Sequence, residues 1–244
     1  MKYLSASRIH LFNQCPLSFY LKYKDGSGYV DDVTEYYASY GSLFHKIVEK
    51  IAKKAITYLP FAFQLYDMEF PKCGIPEKNR AEYYQQGKEA IERAFNELQN
   101  IEILGQEVEF TTYVDFSIPP LYGFIDLVYR DEKGRLIVRD YKTSKPYGKT
   151  ELDKQYQPYI YALACKQLYG EYPYMFEFDF VRFDKKKTFM ITDSFIKMAE
   201  IKIKAVWNRM QKSAHEGNWS VFFCNNFCTQ RSLCPLYLRK IDAE

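Results

Sequence analysis

The stretch GFIDLVYRDEKGRLIVRDYKTSK, residues 123–145, decides the expected fold of this chain. Two runs rich in Val, Ile, Phe and Tyr flank the tetrapeptide DEKG, and this composition is typical of β-strands. Gly134 suits the left-handed position of a three-residue hairpin loop. The sequence therefore predicts an antiparallel hairpin with strands over 122–130 and 135–143.

The register of this hairpin decides which polar side chains meet. If Asp131 pairs with Arg135 across the loop, Asp126 falls opposite Asp140. Residues two apart on a strand share a face, so Asp140 and Lys142 point the same way. Both carboxylates then share a face with the lysine, whereas a one-residue slip would move Asp126 to the other side of the sheet.

Two carboxylates and an ammonium group at one place have a chemical use. Hard divalent cations such as Mg²⁺ and Mn²⁺ prefer carboxylate, carbonyl and water oxygens. A bound ion polarises a phosphoryl oxygen, and a nearby lysine can orient water or stabilise developing charge. A lone D…DxK motif is more often a cross-strand salt bridge on the surface, so the motif alone is only a weak indication of a metal site.

Periodicity and cap residues predict the elements around the hairpin. A serine-capped helix over 5–23 is expected to break or kink at Pro16, and a polar turn follows over 25–32. Further helices are expected over 41–58, 78–100, 151–169 and 194–216, the third with a capping box of Thr150 and Asp153. Further strands are expected over 107–118, 175–183 and 188–195.

Composition indicates an ordinary globular protein. The chain has 244 residues, of which 47% are hydrophobic and 27% charged, so it can bury a sizeable core. Its formal charge of +3 is too small to indicate nucleic-acid binding, although a local basic patch is compatible with it. Because no signal peptide and no run of 18 apolar residues is found, an intracellular, cytoplasmic location is expected, where clustered cysteines more often bind metal than form disulfides.

The tail CNNFCTQRSLCPLY, residues 224–237, contains three of the six cysteines in the chain: Cys224, Cys228 and Cys234. A closed four-thiolate site needs one further ligand. Cys15, which precedes a proline, is favoured over Cys73 and over Cys165, because Cys165 lies in an apolar helical run that is more typical of a core residue.

These segments together resemble the PD-(D/E)XK nuclease superfamily, specifically the RecB-like branch that includes AddB and the CRISPR-associated adaptation nucleases. Six segments match in order over nearly the whole chain: SxSRIxxFxxCPxxFYLKY at 5–23, GSLFH at 41–45, GFID at 123–126, DYK at 140–142, QPYIY at 157–161 and the C-terminal cysteine triplet. Ile125 stands where the name of the superfamily has proline, but the carboxylate that follows it is the ligand.

The resemblance implies an α/β fold, with a central mixed β-sheet flanked by helices in a restriction-endonuclease-like core. It implies a single nuclease domain over 1–244, whose N-terminal and C-terminal segments are joined at a four-cysteine metal cluster. The expected parts are an N-terminal helical part over 1–100, a catalytic sheet and hairpin core over 101–195, and a C-terminal helix and cluster-binding tail over 196–244.

The resemblance also implies roles for individual residues. His45 would be a metal ligand rather than a packed or exposed histidine, and it would hold Mg²⁺ or Mn²⁺ with Asp126, Asp140 and the backbone carbonyl of Tyr141. The catalytic residues would be Asp126, Asp140 and Lys142, with Lys142 assisting the attack by water.

Two further positions would support this site. Gln157 would face the active site and Tyr161 would line the DNA path; the alternative is a helix packed through Tyr161 with Gln157 exposed. A glutamate on the strand before the hairpin would support the metal. Glu107 is preferred to Glu109 because the family has E-x-x-F at that point.

For the cysteines, the resemblance implies a structural [4Fe-4S] cluster bound by Cys15, Cys224, Cys228 and Cys234, with zinc as the alternative. The spacing of three residues between Cys224 and Cys228 departs from the two residues expected in the family. The implied function is a metal-dependent deoxyribonuclease, an exonuclease acting on single strands or DNA ends, with protein partners in repair, CRISPR or viral replication. The alternative is a non-catalytic DNA-binding or adaptor protein of a CRISPR or recombination complex.

Overall fold

The computed structural model describes residues 1–23, 35–213 and 215–241, and a five-stranded sheet lies at its centre. The strands are β1 (Glu102–Thr112), β2 (Leu121–Arg130), β3 (Leu136–Lys142), β4 (Met175–Phe180) and β5 (Lys185–Met190). The helices are α1 (Ala6–Gln14), α2 (Pro16–Tyr23), α3 (Glu35–Ala52), α4 (Leu59–Glu69), α5 (Glu77–Leu98), α6 (Lys149–Leu152), α7 (Gln157–Tyr169), α8 (Asp193–Lys212), α9 (Val221–Asn226) and α10 (Pro235–Ile241). The polar turn expected over 25–32 lies outside the described residues.

The sheet is mixed, with strand order β1-β2-β3-β4-β5. β1, β2 and β3 form an antiparallel meander, β3 and β4 run parallel, and β5 returns antiparallel to β4. The parallel pair needs a crossover, which α6 and α7 supply. The mixed sheet flanked by helices confirms the fold class expected from the sequence.

Helices cover both faces of the sheet because neighbouring residues of the central strands point to opposite sides. Val128 and Val138 belong to a first core cluster shared with α1, α2, α7 and α8. Leu127 and Ile137 belong to a second core cluster shared with α3, α4 and α5. The hairpin of β2 and β3 is therefore buried on both faces, and only its end is open to the candidate site.

Two of the expected helices differ from those observed. The helix predicted over 41–58 begins earlier and ends at Ala52, and Lys54 has a left-handed φ of 58° just beyond it. The helix predicted over 151–169 is divided into α6 and α7. Pro158 lies at the first turn of α7, where proline starts a helix more readily than it continues one.

The capping box predicted for Thr150 and Asp153 is wrong. The amide of Gly148 donates instead to the carboxylate of Glu151 at 2.9 Å, so the cap lies two residues earlier. The predicted break at Pro16 is confirmed, because α1 ends at Gln14 and α2 begins at that proline. Steric conflict with a following proline disfavours helical backbone, and the intervening residue is extended.

The sequence predictions of the remaining strands and helices are shifted by a few residues. β1 begins and ends about five residues before the predicted 107–118, and β5 about three to five residues before 188–195. α5 and α8 lie close to the predicted 78–100 and 194–216. Within the described residues, no helix combines the length and apolar composition needed to cross a membrane.

A buried arginine joins α5 to the sheet. Arg139, on β3, is 1% exposed and makes a two-pronged contact with Glu97 of α5 at 2.6 and 2.8 Å. Its guanidinium also donates to Glu177 of β4 and to the hydroxyl of Tyr129. Burial alone would raise the pKa of Glu97, but Arg139 and the exposed Lys186 lower it to about 2.

We expect Arg139→Ala to destabilise the protein by about 3–5 kcal/mol, because it leaves buried carboxylates without their cation. Lys186→Ala removes only the exposed contact with Glu97 and should cost less than about 1 kcal/mol. Urea unfolding followed by far-ultraviolet circular dichroism measures both changes. Equal losses in the two variants would contradict a central role for Arg139.

Candidate active site

The turn after β2 sets the register of the candidate active site. The amide of Asp131 donates to the carbonyl of Arg135 at 3.1 Å, and Gly134 has a left-handed φ of 73°. The ladder that follows pairs Leu127 with Arg139. The predicted hairpin loop and register are therefore confirmed.

Asp126 occupies the next position of β2, opposite Asp140 in this register. Its Oδ2 accepts a hydrogen bond from the amide of Tyr141 at 2.7 Å. The carboxylate of Asp126 is therefore the acceptor for the Tyr141 amide at the point where backbone pairing between β2 and β3 ends. This contact holds Asp126 at the edge of β3.

His45, Glu107 and Asp126 form a compact group of possible metal ligands. His45 Nδ1 lies 3.6 Å from Glu107 Oε1 and 3.7 Å from Asp126 Oδ2. One ligand atom from each residue lies within 4.8 Å of the other two. The three residues come from α3, β1 and β2, so only the folded chain brings them together.

The packing of α3 explains why His45 reaches the strands. Phe44, Ile47 and Val48 are buried in the second core cluster, and the ring of Phe44 contacts that of Tyr141 with centroids 5.7 Å apart. His45 is half-buried at the edge of this face. It is therefore neither a packed core residue nor a free surface residue, which were the alternatives to a ligand.

The structure distinguishes the two glutamates of β1. Glu107 lies beside His45 and has a left-handed φ of 47°, a strained conformation for a non-glycine residue in a strand. Glu109 instead accepts a hydrogen bond from the hydroxyl of Tyr122 at 2.7 Å, in an exposed position. Of the two, only Glu107 is placed to act with His45.

Asp140, Lys142 and Gln157 form a closed triangle next to this group. Lys142 Nζ lies 2.6 Å from Asp140 Oδ2 and donates to Gln157 Oε1 at 2.9 Å. Gln157 Nε2 donates to Asp140 Oδ1 at 2.5 Å. Each side chain therefore contacts the other two, and Gln157, at the start of α7, is not the exposed residue of the alternative interpretation.

Tyr161 lies one helical turn after Gln157 and is buried. Its ring packs against Phe110 and Phe176, and Gln157 Nε2 donates to its hydroxyl at 3.2 Å. The ring of Tyr161 is part of the first core cluster, and Tyr161 also lines a pocket together with Gln157. Its predicted place along a DNA path therefore stays a prediction. Its contact with the site runs through Gln157.

Burial and neighbouring charges shift the pKa values of the ligand group. Burial and the charge of Asp140 raise the pKa of Asp126 to about 7, against the opposing effects of His45 and Lys142. Burial alone would lower the pKa of His45, but Glu107 and both aspartates raise it to about 9. The group therefore takes up protons to reduce its crowded negative charge.

Lys142 remains positively charged in the same surroundings. Burial alone would lower its pKa, but the Asp140 carboxylate raises it above the usual value. The ring of Phe178 lies beneath the ammonium group, with its centroid 5.4 Å away. Lys142 is therefore placed to donate hydrogen bonds and to supply positive charge.

The donor set fits a hard divalent cation. Carboxylate oxygens are the ligands that Mg²⁺ and Mn²⁺ prefer, and a double positive charge would offset the carboxylate charge that raises the pKa values of Asp126 and His45. The oxygens of Asp140 contact Lys142 and Gln157. The hydrogen bond between Tyr141 and Asp126 is made by the amide of Tyr141 and does not involve its carbonyl. Metal binding by Asp140 and by the Tyr141 carbonyl therefore stays a prediction.

A second group of donors forms where the two ends of the chain meet. One cavity is lined by all four cysteines of the predicted cluster: Cys15, Cys224, Cys228 and Cys234. The amides of Ser18 and Asn218 each donate to Cys15 Sγ at 3.4 Å. The hydroxyl of Ser18 lies 3.6 Å from Cys228 Sγ. Cys73 and Cys165 are buried elsewhere, in the second and first core clusters.

Four cysteine thiolates at one cavity suit either a structural zinc ion or an iron–sulfur cluster. Both assignments therefore stay predictions.

One residue near the site carries no signal in the sequence. His10, on α1, lies near the hairpin of β2 and β3. Desolvation lowers the pKa of His10, and the positive charges of Lys142 and Lys154 lower it further. The packing of α1 against the sheet places it there, and no spacing rule connects it to the hairpin. Lys145, Lys149 and Lys154 form an exposed basic rim nearby.

Comparisons with known proteins agree with this geometry. A family model described as the PD-(D/E)XK nuclease superfamily matches residues 3–235. Among solved structures, the chain is similar to a protein named "Putative exonuclease" from Eubacterium rectale, with a TM-score of 0.53, 15% identity and coverage of 98% of this chain and 88% of that chain. At this identity the likeness shows the fold alone.

A second solved structure, of a protein named SSO0001, has 14% identity and covers 97% of this chain and 87% of that chain. Its TM-score of 0.42 is too low to support an argument. Comparison with curated protein sequences gives no significant match.

We expect Asp126→Asn to stabilise the protein by about 1–3 kcal/mol at pH 8 in EDTA. The folded protein raises the pKa of Asp126 to about 7, so the wild type loses stability as the pH rises towards that value. Asparagine cannot ionise and avoids this loss. Urea unfolding in EDTA at pH 5 and pH 8 measures the difference, which should be larger at pH 8.

Asp131→Asn is the matched control, because Arg135 lowers the pKa of Asp131 and ionisation there favours the folded state. That variant should lose stability at pH 8 rather than gain it. A loss of stability at pH 8 in Asp126→Asn would show that the folded state does not disfavour the ionised carboxylate of Asp126.

Proposed function

The chain belongs to the PD-(D/E)XK nuclease superfamily, and on that premise we propose that it is a metal-dependent deoxyribonuclease that hydrolyses DNA phosphodiester bonds. The observation that carries the proposal is the convergence of the His45, Glu107 and Asp126 group with the Asp140, Lys142 and Gln157 triangle. Metal ligands and a fixed ammonium group at one open edge of a sheet are what phosphodiester hydrolysis needs.

We assign His45, Asp126, Asp140 and the carbonyl of Tyr141 to the binding of Mg²⁺ or Mn²⁺, with Glu107 as a supporting carboxylate. When bound, such an ion supplies polarisation of a phosphoryl oxygen and a lowered pKa of water. The short spacing within the His45, Glu107 and Asp126 group supports this assignment.

Lys142 supplies a positive charge from the protein itself to the reaction. Asp140 and Gln157 hold its ammonium group from two sides, so little conformational freedom is lost when it meets a phosphate. A positive group held in a partly buried site stabilises the negative charge that develops on phosphate oxygens more strongly than it would in water. Tyr161 supports this arrangement by accepting a hydrogen bond from Gln157.

We further propose that the protein is an exonuclease of the RecB-like branch, acting on single strands or DNA ends. The ordered sequence segments and the meeting of one N-terminal with three C-terminal cysteines support the branch. The exposed lysines Lys145, Lys149 and Lys154 would attract the phosphates of DNA. In this proposal residues 1–244 form one nuclease domain.

We propose a structural [4Fe-4S] cluster for the four-cysteine cavity, bound by Cys15, Cys224, Cys228 and Cys234. The meeting of the four cysteines at one cavity and the two amides that donate to Cys15 support a bound metal group, with zinc as the alternative to the cluster. A bound group would close a long loop between the ends of the chain and so stabilise the fold.

We expect Lys142→Met to lower the rate of DNA cleavage by about 100-fold or more while Mn²⁺ binding is retained, because the ammonium acts on the phosphate and not on the metal. The assay is digestion of 5′- and 3′-labelled single-stranded and duplex DNA with Mn²⁺, alongside calorimetric Mn²⁺ titration. Release of short products from one labelled end would indicate an exonuclease.

Lys185→Ala, which removes an exposed lysine of β5, is the charge-matched control and should cleave at the wild-type rate. A wild-type rate of DNA cleavage in Lys142→Met would contradict the role assigned to Lys142. A wild-type protein that binds DNA and Mn²⁺ without cleaving would instead indicate a non-catalytic DNA-binding protein.

We expect protein purified without oxygen to contain about four iron atoms per chain and to absorb near about 400 nm. Cys224→Ser should lose most of the iron and the absorption, because it removes one of the four thiolates. Cys165→Ala, which changes a cysteine buried in the core, is the control and should retain both. Stoichiometric zinc in place of iron would refute the cluster.

A further inference from the structure

A cleft of about 560 Å³ lies beside the end of β3, next to the candidate active site. It is lined by α3, α5, residues 143–145, the turn Val181–Phe183 and the tail around α9. Its size falls within the range of roughly 300–1,000 Å³ that is typical of small-molecule sites. None of the residues assigned to metal binding or catalysis lines it.

Aromatic rings from two distant parts of the chain face this cleft. Phe222 and Phe227, from the tail, are 70% and 41% exposed, and their ring centroids lie 5.2 Å apart. Tyr37, on α3, is 38% exposed, and its ring lies 6.2 Å from that of Tyr83. Exposed aromatic rings that converge on one opening offer flat apolar surfaces to a ligand.

A fixed guanidinium group adds positive charge to the same opening. Arg182 lies over the ring of Tyr83 at 3.4 Å from its centroid and donates to Gln86 at 2.9 Å. Its guanidinium also donates to the carbonyl of Thr143 at 3.3 Å. The one carboxylate among the described lining residues is that of Glu82, whose Oε1 lies 3.9 Å from Arg182.

Lys145 extends the positive charge towards the active site. It is exposed and forms no ion pair with any residue that the structure describes. Two residues separate it from Lys142, so their Cα atoms lie at most about 11 Å apart. A strand with one phosphate at Lys142 can therefore place an adjacent nucleotide in the cleft.

We propose that this stacking cleft, formed by Tyr37, Tyr83, Lys145, Arg182, Phe222 and Phe227, binds unpaired bases of the DNA strand next to the phosphate that is cleaved. Unpaired bases expose both faces and can stack on the exposed rings of Tyr37, Phe222 and Phe227, whereas the bases of a duplex already stack on one another. Arg182 and Tyr83 are each only 8% exposed, so they form the floor of the cleft. The proposal rests on the proposed nuclease function and adds the surface that holds the unpaired bases beside the cleaved phosphate.

The positive charge of the cleft favours a nucleic-acid strand over an apolar protein segment. Arg182 and Lys145 outweigh Glu82, and a strand bound here would continue to the catalytic hairpin. An apolar peptide would make no use of Lys145 and has no reason to lie at this place. Binding measurements with DNA alone therefore test the proposal.

The test compares Phe222→Ala/Phe227→Ala with Tyr58→Ala/Phe61→Ala. The second pair is the matched control, because its rings are also exposed and in contact, with centroids 5.6 Å apart, but lie at the start of α4 and outside the cleft. Fluorescence anisotropy in EDTA measures the affinity of the full-length protein for labelled oligo-dT, for a duplex of equal length and for an oligomer with abasic sites.

Phe222→Ala/Phe227→Ala should bind oligo-dT about tenfold more weakly or worse, with duplex affinity unchanged, and the control pair should match the wild type. The oligomer with abasic sites should bind the wild type more weakly than oligo-dT does. It should bind Phe222→Ala/Phe227→Ala about as weakly as oligo-dT does, because loss of the bases and loss of the rings remove the same contact. In cleavage assays, KM should rise while kcat is kept.

Wild-type affinity for oligo-dT in Phe222→Ala/Phe227→Ala would overturn the stacking cleft. An equal loss for single strands and duplex, or an equal abasic penalty in wild type and variant, would overturn it as well. A wild type that fails to cleave any DNA would instead refute the proposed function, whereas the anisotropy measurements in EDTA would still decide whether the cleft binds unpaired bases.

Discussion

The register of the hairpin between β2 and β3 is the constraint on which the rest of the site depends. Side chains alternate between the faces of a strand, so a slip of one residue would carry Asp126 away from Asp140. The turn at Asp131 and Gly134 prevents such a slip, and the core residues on both faces of the hairpin oppose it too. Register here is enforced by packing and by turn geometry together.

With this register, the site concentrates negative charge in a partly buried place. Burial and the nearby charge of Asp140 raise the pKa of Asp126, and the carboxylates raise the pKa of His45 because its positive charge reduces their repulsion. A cation relieves the repulsion, which links metal binding to stability.

Much of this arrangement could be predicted because its signals are local. The hairpin loop, the shared face of Asp140 and Lys142 and the break at Pro16 each follow from rules that span a few residues. The sequence pattern predicts one helix over 151–169, but Pro158 lies in the first turn of a second helix, because proline starts a helix more readily than it continues one. The sequence favours Glu107 over Glu109 only through the family pattern E-x-x-F, and strand alternation does not predict the left-handed backbone angle of Glu107.

The sequence by itself determined the hairpin, its register and the residue types that could meet there, because strand alternation and turn preference act within a few residues. It also indicated four cysteines as a set. Only the tertiary structure decided that His45 meets Glu107 and Asp126, that Arg139 joins three elements, and that rings from α3 and the tail face one cleft. These contacts join distant parts of the chain, and only the packing of helices on the sheet sets their distances.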